Sequence, residues 1–127
     1  MKGYEVNIVS ATKDLSPKEK IKLKDLSNSI NLDNATQAEG KVVINYDYHV
    51  ILEIHNEKSK DRKDYQNVVV VDKEGTKYNT GSESFLTTLE DITGEMLSAG
   101  EEDFSIEVYR KDSKNYKGKQ FITCSVL

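Results

Sequence analysis

His49, Glu53 and His55 are the residues of this 127-residue chain whose chemistry and spacing first invite a catalytic or metal-binding reading. They fall at alternate positions of a period-two segment, so all three share one strand face. Six residues separate the two imidazoles, too far for a close bidentate pair, and no third ligand of suitable spacing follows. An acid–base constellation there has no nucleophile partner that spacing can identify. Cys124, the single cysteine, alternates with apolar neighbours in QFITCSV and reads as core rather than nucleophile. Alone it can form no internal disulfide. Gly75, Gly81, Gly94 and Gly118 compose neither of the glycine-rich phosphate loops, GxGxxG or GxxxxGK. The expectation is therefore a protein that is not an enzyme and needs no metal or cofactor.

What remains is cations interleaved with aromatic rings. Two stretches hold them, EKSKDRKDY (57–65) and KDSKNYKGK (111–119). Lysine and arginine neutralise phosphates, and tyrosine or phenylalanine offers a π-face on which an unpaired base stacks for roughly 1–3 kcal/mol. From the first stretch the candidates are Lys58, Lys60, Arg62, Lys63 and Tyr65. From the second stretch and the strand ends flanking it they are Arg110, Lys114, Lys117 and Lys119 as cations. Tyr109, Tyr116 and Phe121 supply the rings. Net charge is −4, but seven acidic residues and no basic ones lie between Glu83 and Asp103. Without them the chain holds 15 acidic residues against 18 basic, a net of +3, so a locally basic surface is compatible with the acidic whole. A lysine-rich hairpin loop also serves plain solubility, and an outward aromatic pair can pack under another segment. Tyr65 and Tyr116, each within a polar stretch with little core to fill, weigh towards binding.

The elements that must position these residues follow from periodicity and punctuation. YEVNIVS alternates Tyr4, Val6 and Ile8 and suggests a strand. Ser16, Pro17 and Glu19 form a helix start ahead of PKEKIKLKDLSNSI, with Ile21, Leu23 and Leu26 on adjacent faces. NLDNATQAEG has the Asn, Asp and Gly of a loop or linker. From Val42 to Ile54 every second residue is apolar or tyrosine, predicting one bent strand or two strands meeting near Asn45–Asp47. NVVVVD is a buried-type strand, and DKEG turns it into TKYNT. Thr80 with Glu83 predicts a capping box for a helix bearing Phe85, Leu89, Ile92 and Met96, ended at Ser98-Ala99-Gly100. FSIEVYR and QFITCSV are the last two strands.

From residue 41 the order is strand, strand, strand, helix, strand, strand, which predicts a mainly β protein. The specific expectation is an OB-fold-like five-stranded barrel with its helix between strands 3 and 4. Residues 1–40 form a strand/helix extension packed on it, within one single domain. Barrels of that type bind oligonucleotides on strands 2–3 and on the loops joining strands 1–2 and 4–5. The two basic stretches occupy those two loops. Pairing Tyr109 with Phe121 makes Val108–Ile122, Ile106–Cys124 and Phe104–Val126 the inward pairs and leaves both aromatics outward.

At IKLKDLSNSINLD, HNEKS, VDKEGTKYNTGSESF and SKNYKGKQFITCSV the chain resembles small OB-fold single-stranded DNA-binding proteins of phages and conjugative elements of Gram-positive bacteria. The likeness runs from about residue 20 to the C-terminus. It implies largely sequence-independent protection or delivery of single-stranded DNA during replication or transfer. Single-stranded DNA is the expected partner, with RNA, self-association and contact with replication or transfer proteins left open. The rival expectation is a protein-interaction module or host-factor inhibitor that uses the acidic 83–103 surface. No apolar run approaches the roughly 20 residues of a membrane helix, and MKGYEVNIVS lacks a signal-peptide core. A cytoplasmic location in a bacterial host, with no membrane partner, is the matching expectation.

Overall fold

The computed structural model describes residues 4–58, 64–113 and 118–127. In chain order the elements are β1 (Tyr4–Ala11), α1 (Pro17–Lys24), a 3-10 turn (Leu26–Asn28), β2 (Ile30–Asn31) and α2 (Leu32–Glu39). They continue with β3 (Lys41–Asn56), β4 (Asp64–Asp72), β5 (Lys77–Thr80), α3 (Glu83–Ser98), β6 (Phe104–Asp112) and β7 (Gln120–Val126). The strands form one mixed sheet in the order β2-β5-β4-β3-β6-β7, with β1 also paired to β3. The sheet curls into a half-barrel, and the fold is mostly β. None of the described helices is long and apolar enough to cross a membrane.

The 16-residue β3 organises the molecule. Its first half pairs with β6, from Lys41↔Tyr109 to Tyr46↔Phe104. Its second half carries β4 on one edge and β1 on the other. The ladder to β4 slips between Tyr46 and Tyr48, leaving Asp47 as the extra residue of a bulge. One inserted residue reverses which side later side chains take. Ile44 and Tyr46 thus enter a first core with Val70, Phe85, Leu89 and Ile106, whereas Val50, Leu52 and Ile54 enter a second on the opposite face. The four valines of β4 are buried on both faces, Val68 and Val70 in the first core, Val69 and Val71 in the second.

Helix α3 lies against the first core through Phe85 and Leu89, with Ile92 and Met96 partly buried beside them. Its N-cap is Ser82, whose hydroxyl accepts from the Phe85 amide at 3.2 Å, and not Thr80. Thr80 is the last residue of β5 and pairs with Val68. It donates to Asp33 Oδ2 at 3.0 Å while accepting from the Ser82 amide. The expected loop at NLDNATQAEG is the helix α2. Asn31 caps its start by accepting from the Asn34 amide, Leu32 and Thr36 are its buried positions, and Gly40 ends it at φ 84°. The same residues that punctuate a loop punctuate a helix at both ends, and eight residues are too few for a readable period.

Helix α1 starts as expected, with Ser16 and Glu19 in a reciprocal capping box and Pro17 in the first turn. It stops at Lys24, because Asp25 turns outward to cap the 3-10 turn through the Ser27 amide. Leu23 anchors it in the second core, with Leu15 and Leu26 partly buried alongside. The helix and the segment after it are held to β5, where Lys77 Nζ donates to the Lys22 carbonyl at 3.2 Å and Asn79 Nδ2 donates to the Ser29 hydroxyl. The α1 segment therefore packs over the outer face of β3–β4 and is tied by hydrogen bonds to β5.

Candidate nucleic-acid interface

A surface for an unpaired polyanion needs rings that point outward from a stiff backbone and cations nearby. The β6–β7 hairpin supplies the backbone. Its ladder runs Ile106↔Val126, Val108↔Cys124, Tyr109↔Thr123, Arg110↔Ile122 and Lys111↔Phe121. The register expected from apolar matching, with Tyr109 opposite Phe121, is therefore displaced by two residues. A displacement of two preserves which face each side chain takes, so Tyr109 and Phe121 still share the outward face as diagonal neighbours. Arg110, on the inward side of β6, stands opposite Ile122 in the observed ladder.

Arg110 is not on the outward face with the aromatics. Its Nη2 donates to the Asp33 carbonyl at 2.7 Å and its Nε to the Thr36 hydroxyl at 3.2 Å. The guanidinium thus ties β6 to α2, beside an open polar depression lined by Gln37, Gly40 and Gln120.

The outward face gathers side chains from three adjacent strands. Lys41 lies opposite Tyr109 and reaches Glu107 at 3.6 Å, and Val43 beside it is 55% exposed. Tyr109 is half-buried with its hydroxyl 2.8 Å from Ser125 Oγ, which fixes the ring while leaving a face to solvent. Phe121 is likewise half-buried and sits across from exposed Lys111. Lys119, exposed, closes the base of the hairpin loop where the Ser113 amide donates to its carbonyl at 2.9 Å. Lys114, Tyr116 and Lys117 lie outside the described residues. Lys41 and Val43 join the face only through the β3–β6 pairing, which no local pattern announces.

The other basic stretch leaves from the opposite end of β3. Lys58 is exposed, with its amide donating to Asn56 Oδ1 at 3.0 Å. Lys60, Arg62 and Lys63 lie outside the described residues. Tyr65 is not a loop residue. It stands on β4 opposite Ile54 and packs against the second core, which gives its ring the apolar contact expected to be missing. The base of this stretch is acidic. His55 places Nδ1 2.7 Å from Asp64 Oδ1 and Nε2 2.6 Å from Glu57 Oε1, and Glu5 is its cross-strand neighbour on β1. The hydrogen bonds to Asp64 and Glu57 raise the pKa of His55. Among the described residues no His, Cys, Asp and Glu group is arranged to hold one.

His49 is a different case. It is buried, with Nδ1 2.8 Å from the Tyr46 hydroxyl, which is also 3.1 Å from Thr12 Oγ1. Burial pushes the imidazole down to about 4 and the Tyr46 phenol up to about 12, so both are neutral structural partners at pH 7. Burial likewise pushes the Cys124 thiol up to about 12, leaving it protonated in the first core.

One basic element escaped the expected set. Helix α1 carries Lys18, Lys20, Lys22 and Lys24, all exposed. Its spacing of alternate lysines was visible, but it lies outside the barrel segment on which loop placement was argued. Compared with known proteins, the chain matches no family model, no curated protein and no solved structure.

Proposed function

We propose that this chain binds single-stranded DNA without catalysing a reaction and with little sequence preference, protecting or delivering it in replication or transfer of a phage or mobile element. The observation that carries this reading is the outward pair Tyr109 and Phe121 on a rigid hairpin, flanked by Lys41, Lys111 and Lys119. Rings on a stiff sheet stack bases at low entropic cost, and the lysines around them neutralise phosphates. An OB-type barrel is the architecture we attach to it. Support comes from the sheet order β5-β4-β3-β6-β7, with α3 between the third and fourth of those strands in sequence. In such barrels the face of strands 2–3 commonly takes the oligonucleotide. Here those strands are β4 and β5, and the outer face of β4 lies under α1, which favours β6–β7 as the stacking surface.

Fluorescence anisotropy with labelled oligo-dT tests the reading. Binding should weaken steeply with salt, and Tyr109→Ala or Phe121→Ala should each lower affinity about 5- to 150-fold, the equivalent of ~1–3 kcal/mol of stacking. Tyr109→Phe, which keeps the ring, should bind nearly as wild type. No binding at low salt up to high-micromolar protein would sink the proposal, and competition with oligo-U separates DNA from RNA.

A second reading rests on α3, where Glu83, Glu90, Asp91 and Glu95 are all exposed, as are Glu101 and Glu102 beyond its end. That surface suits a basic protein partner. A host partner that resists nuclease in a pull-down, and is lost when these carboxylates are replaced by amides, would favour it.

A further inference from the structure

Of the four lysines of α1, Lys22 and Lys24 lie in the last turn and suit the helix dipole, and Lys22 also acts on Glu19. Lys18 and Lys20 have no such role in the helix. Successive residues turn by about 100°, so Lys18 and Lys22 fall on one flank and Lys20 and Lys24 on the other. Both pairs have i, i+4 spacing, at which like charges repel and weaken a helix by a few tenths of a kcal/mol each. Leu23 points down into the second core, and Ile21, about 160° around from it, forms the crest and is 70% exposed. Among the described residues none of the four is within ion-pair distance of a carboxylate. The one pair in this segment is Lys13 with Glu19, at 3.9 Å. Lys13 to Lys24 holds five lysines against two acids. Solubility does not call for them, since the chain already carries −4.

We infer that α1 is a cationic rail for the phosphodiester backbone of a single strand, with two lysine pairs astride the crest and Ile21 offered to an unstacked base. The inference rests on the proposed function and extends it to a second element. Charge complementarity identifies the occupant: four unpaired ammonium groups spread along two helical turns suit a flexible polyanion better than a single compact anion. The rail also accounts for the position of α1. By covering the outer face of β3–β4 it removes that face from contact, and it substitutes a lysine-studded surface for the valines and tyrosines beneath.

The test is the salt dependence of oligo-dT binding by a variant with Lys18, Lys20, Lys22 and Lys24 all changed to alanine, beside a variant with the same four changed to arginine. Each phosphate contact on a single strand contributes about 0.7 to the slope of log affinity against log salt. The alanine set should lower that slope by about 2 to 3 and weaken binding at least tenfold at moderate salt. The arginine set should keep the wild-type slope. All four side chains are exposed, and a thermal melt of each variant checks that the fold is intact. An unchanged slope in the alanine set, while Tyr109→Ala still weakens binding, overturns the rail and leaves the proposed function standing. Wild-type protein that fails to bind oligo-dT at all overturns both. If the alanine set binds oligo-dT as wild type but loses binding to phosphatidylserine vesicles, the rail serves a membrane surface and the inference is wrong.

Discussion

His49 should make the protein acid-labile well above the pH at which carboxylates titrate. The ring is 3% exposed, its Nδ1 meets the Tyr46 hydroxyl, and burial holds its pKa at about 4 against an ordinary value of 6.5. Between those two pH values the unfolded chain binds a proton at this ring and the folded chain does not. Stability is therefore full above pH 6.5 and falls as the pH drops towards 4, at about 1.4 kcal/mol per pH unit. The whole window amounts to a loss on the order of 3 kcal/mol, a large share of the ~5–15 kcal/mol typical of a domain. His55 acts in the opposite direction. Asp64 and Glu57 raise its pKa, so its contribution is full below 6.5 and is lost as the pH rises through its folded value. Its exposure keeps that contribution small. Urea denaturation followed by circular dichroism at pH 7.5, 6.5, 5.5 and 4.5 would measure the effect in wild type and in His49→Asn. Wild type should lose about 2–3 kcal/mol between pH 6.5 and 4.5. The variant should start less stable and lose much less over that interval. Glu19, Asp25 and Asp103, held low by their own partners, titrate alike in both proteins and cancel in the comparison. A wild-type profile flat across that interval, or a variant with the same slope, would refute the assignment of a buried neutral imidazole.

Arg110→Ala should lower the melting temperature, costing about 2 kcal/mol for two charge-assisted bonds to α2, with little effect on oligonucleotide affinity. Arg110→Lys should not restore it, since an ammonium cannot span both acceptors as a planar fork does. Lost affinity with unchanged stability would return this residue to the binding face. Leu23→Ala should cost about 2–4 kcal/mol if α1 stays docked. If α1 detaches instead, limited proteolysis should cut within residues 13–29 while the β3–β7 sheet survives. A variant as stable and as protease-resistant as wild type would show that Leu23 is not the anchor.

Much of the architecture was legible because its signals are local. The capping box at Ser16 and Glu19, the apolar spacing of Phe85 and Leu89, and the run of four valines each state their element in a few adjacent residues. Outward placement of Tyr109 and Phe121 was legible too, since strand parity survives any even register error. What failed depended on distant groups. Asn31 and Gly40 were ambiguous between loop and helix until Leu32 and Thr36 found a core to enter. Thr80 was an attractive cap until Asp33, 47 residues away in sequence, accepted its hydroxyl hydrogen. Tyr65 looked like a loop ring until α1 and β3 closed a second core around it.

By itself, then, the sequence determined which residues alternate, where α1 starts and which stretches are cationic, because propensity and capping act over a turn or two of chain. Three things were decided only in the folded molecule. The bulge at Asp47 let one unbroken period-two run serve two cores, and a run of alternating apolar residues carries no mark of which side each half faces. The final hairpin pairs two residues away from its all-apolar match, and the inward Arg110 finds its acceptors on α2, far away in sequence. The descent of α1 onto β3–β4 covered that face while Tyr109 and Phe121 stayed outward on β6–β7, because burying Leu23 in one core with Val69 and Val71 is a long-range hydrophobic choice that no local spacing encodes.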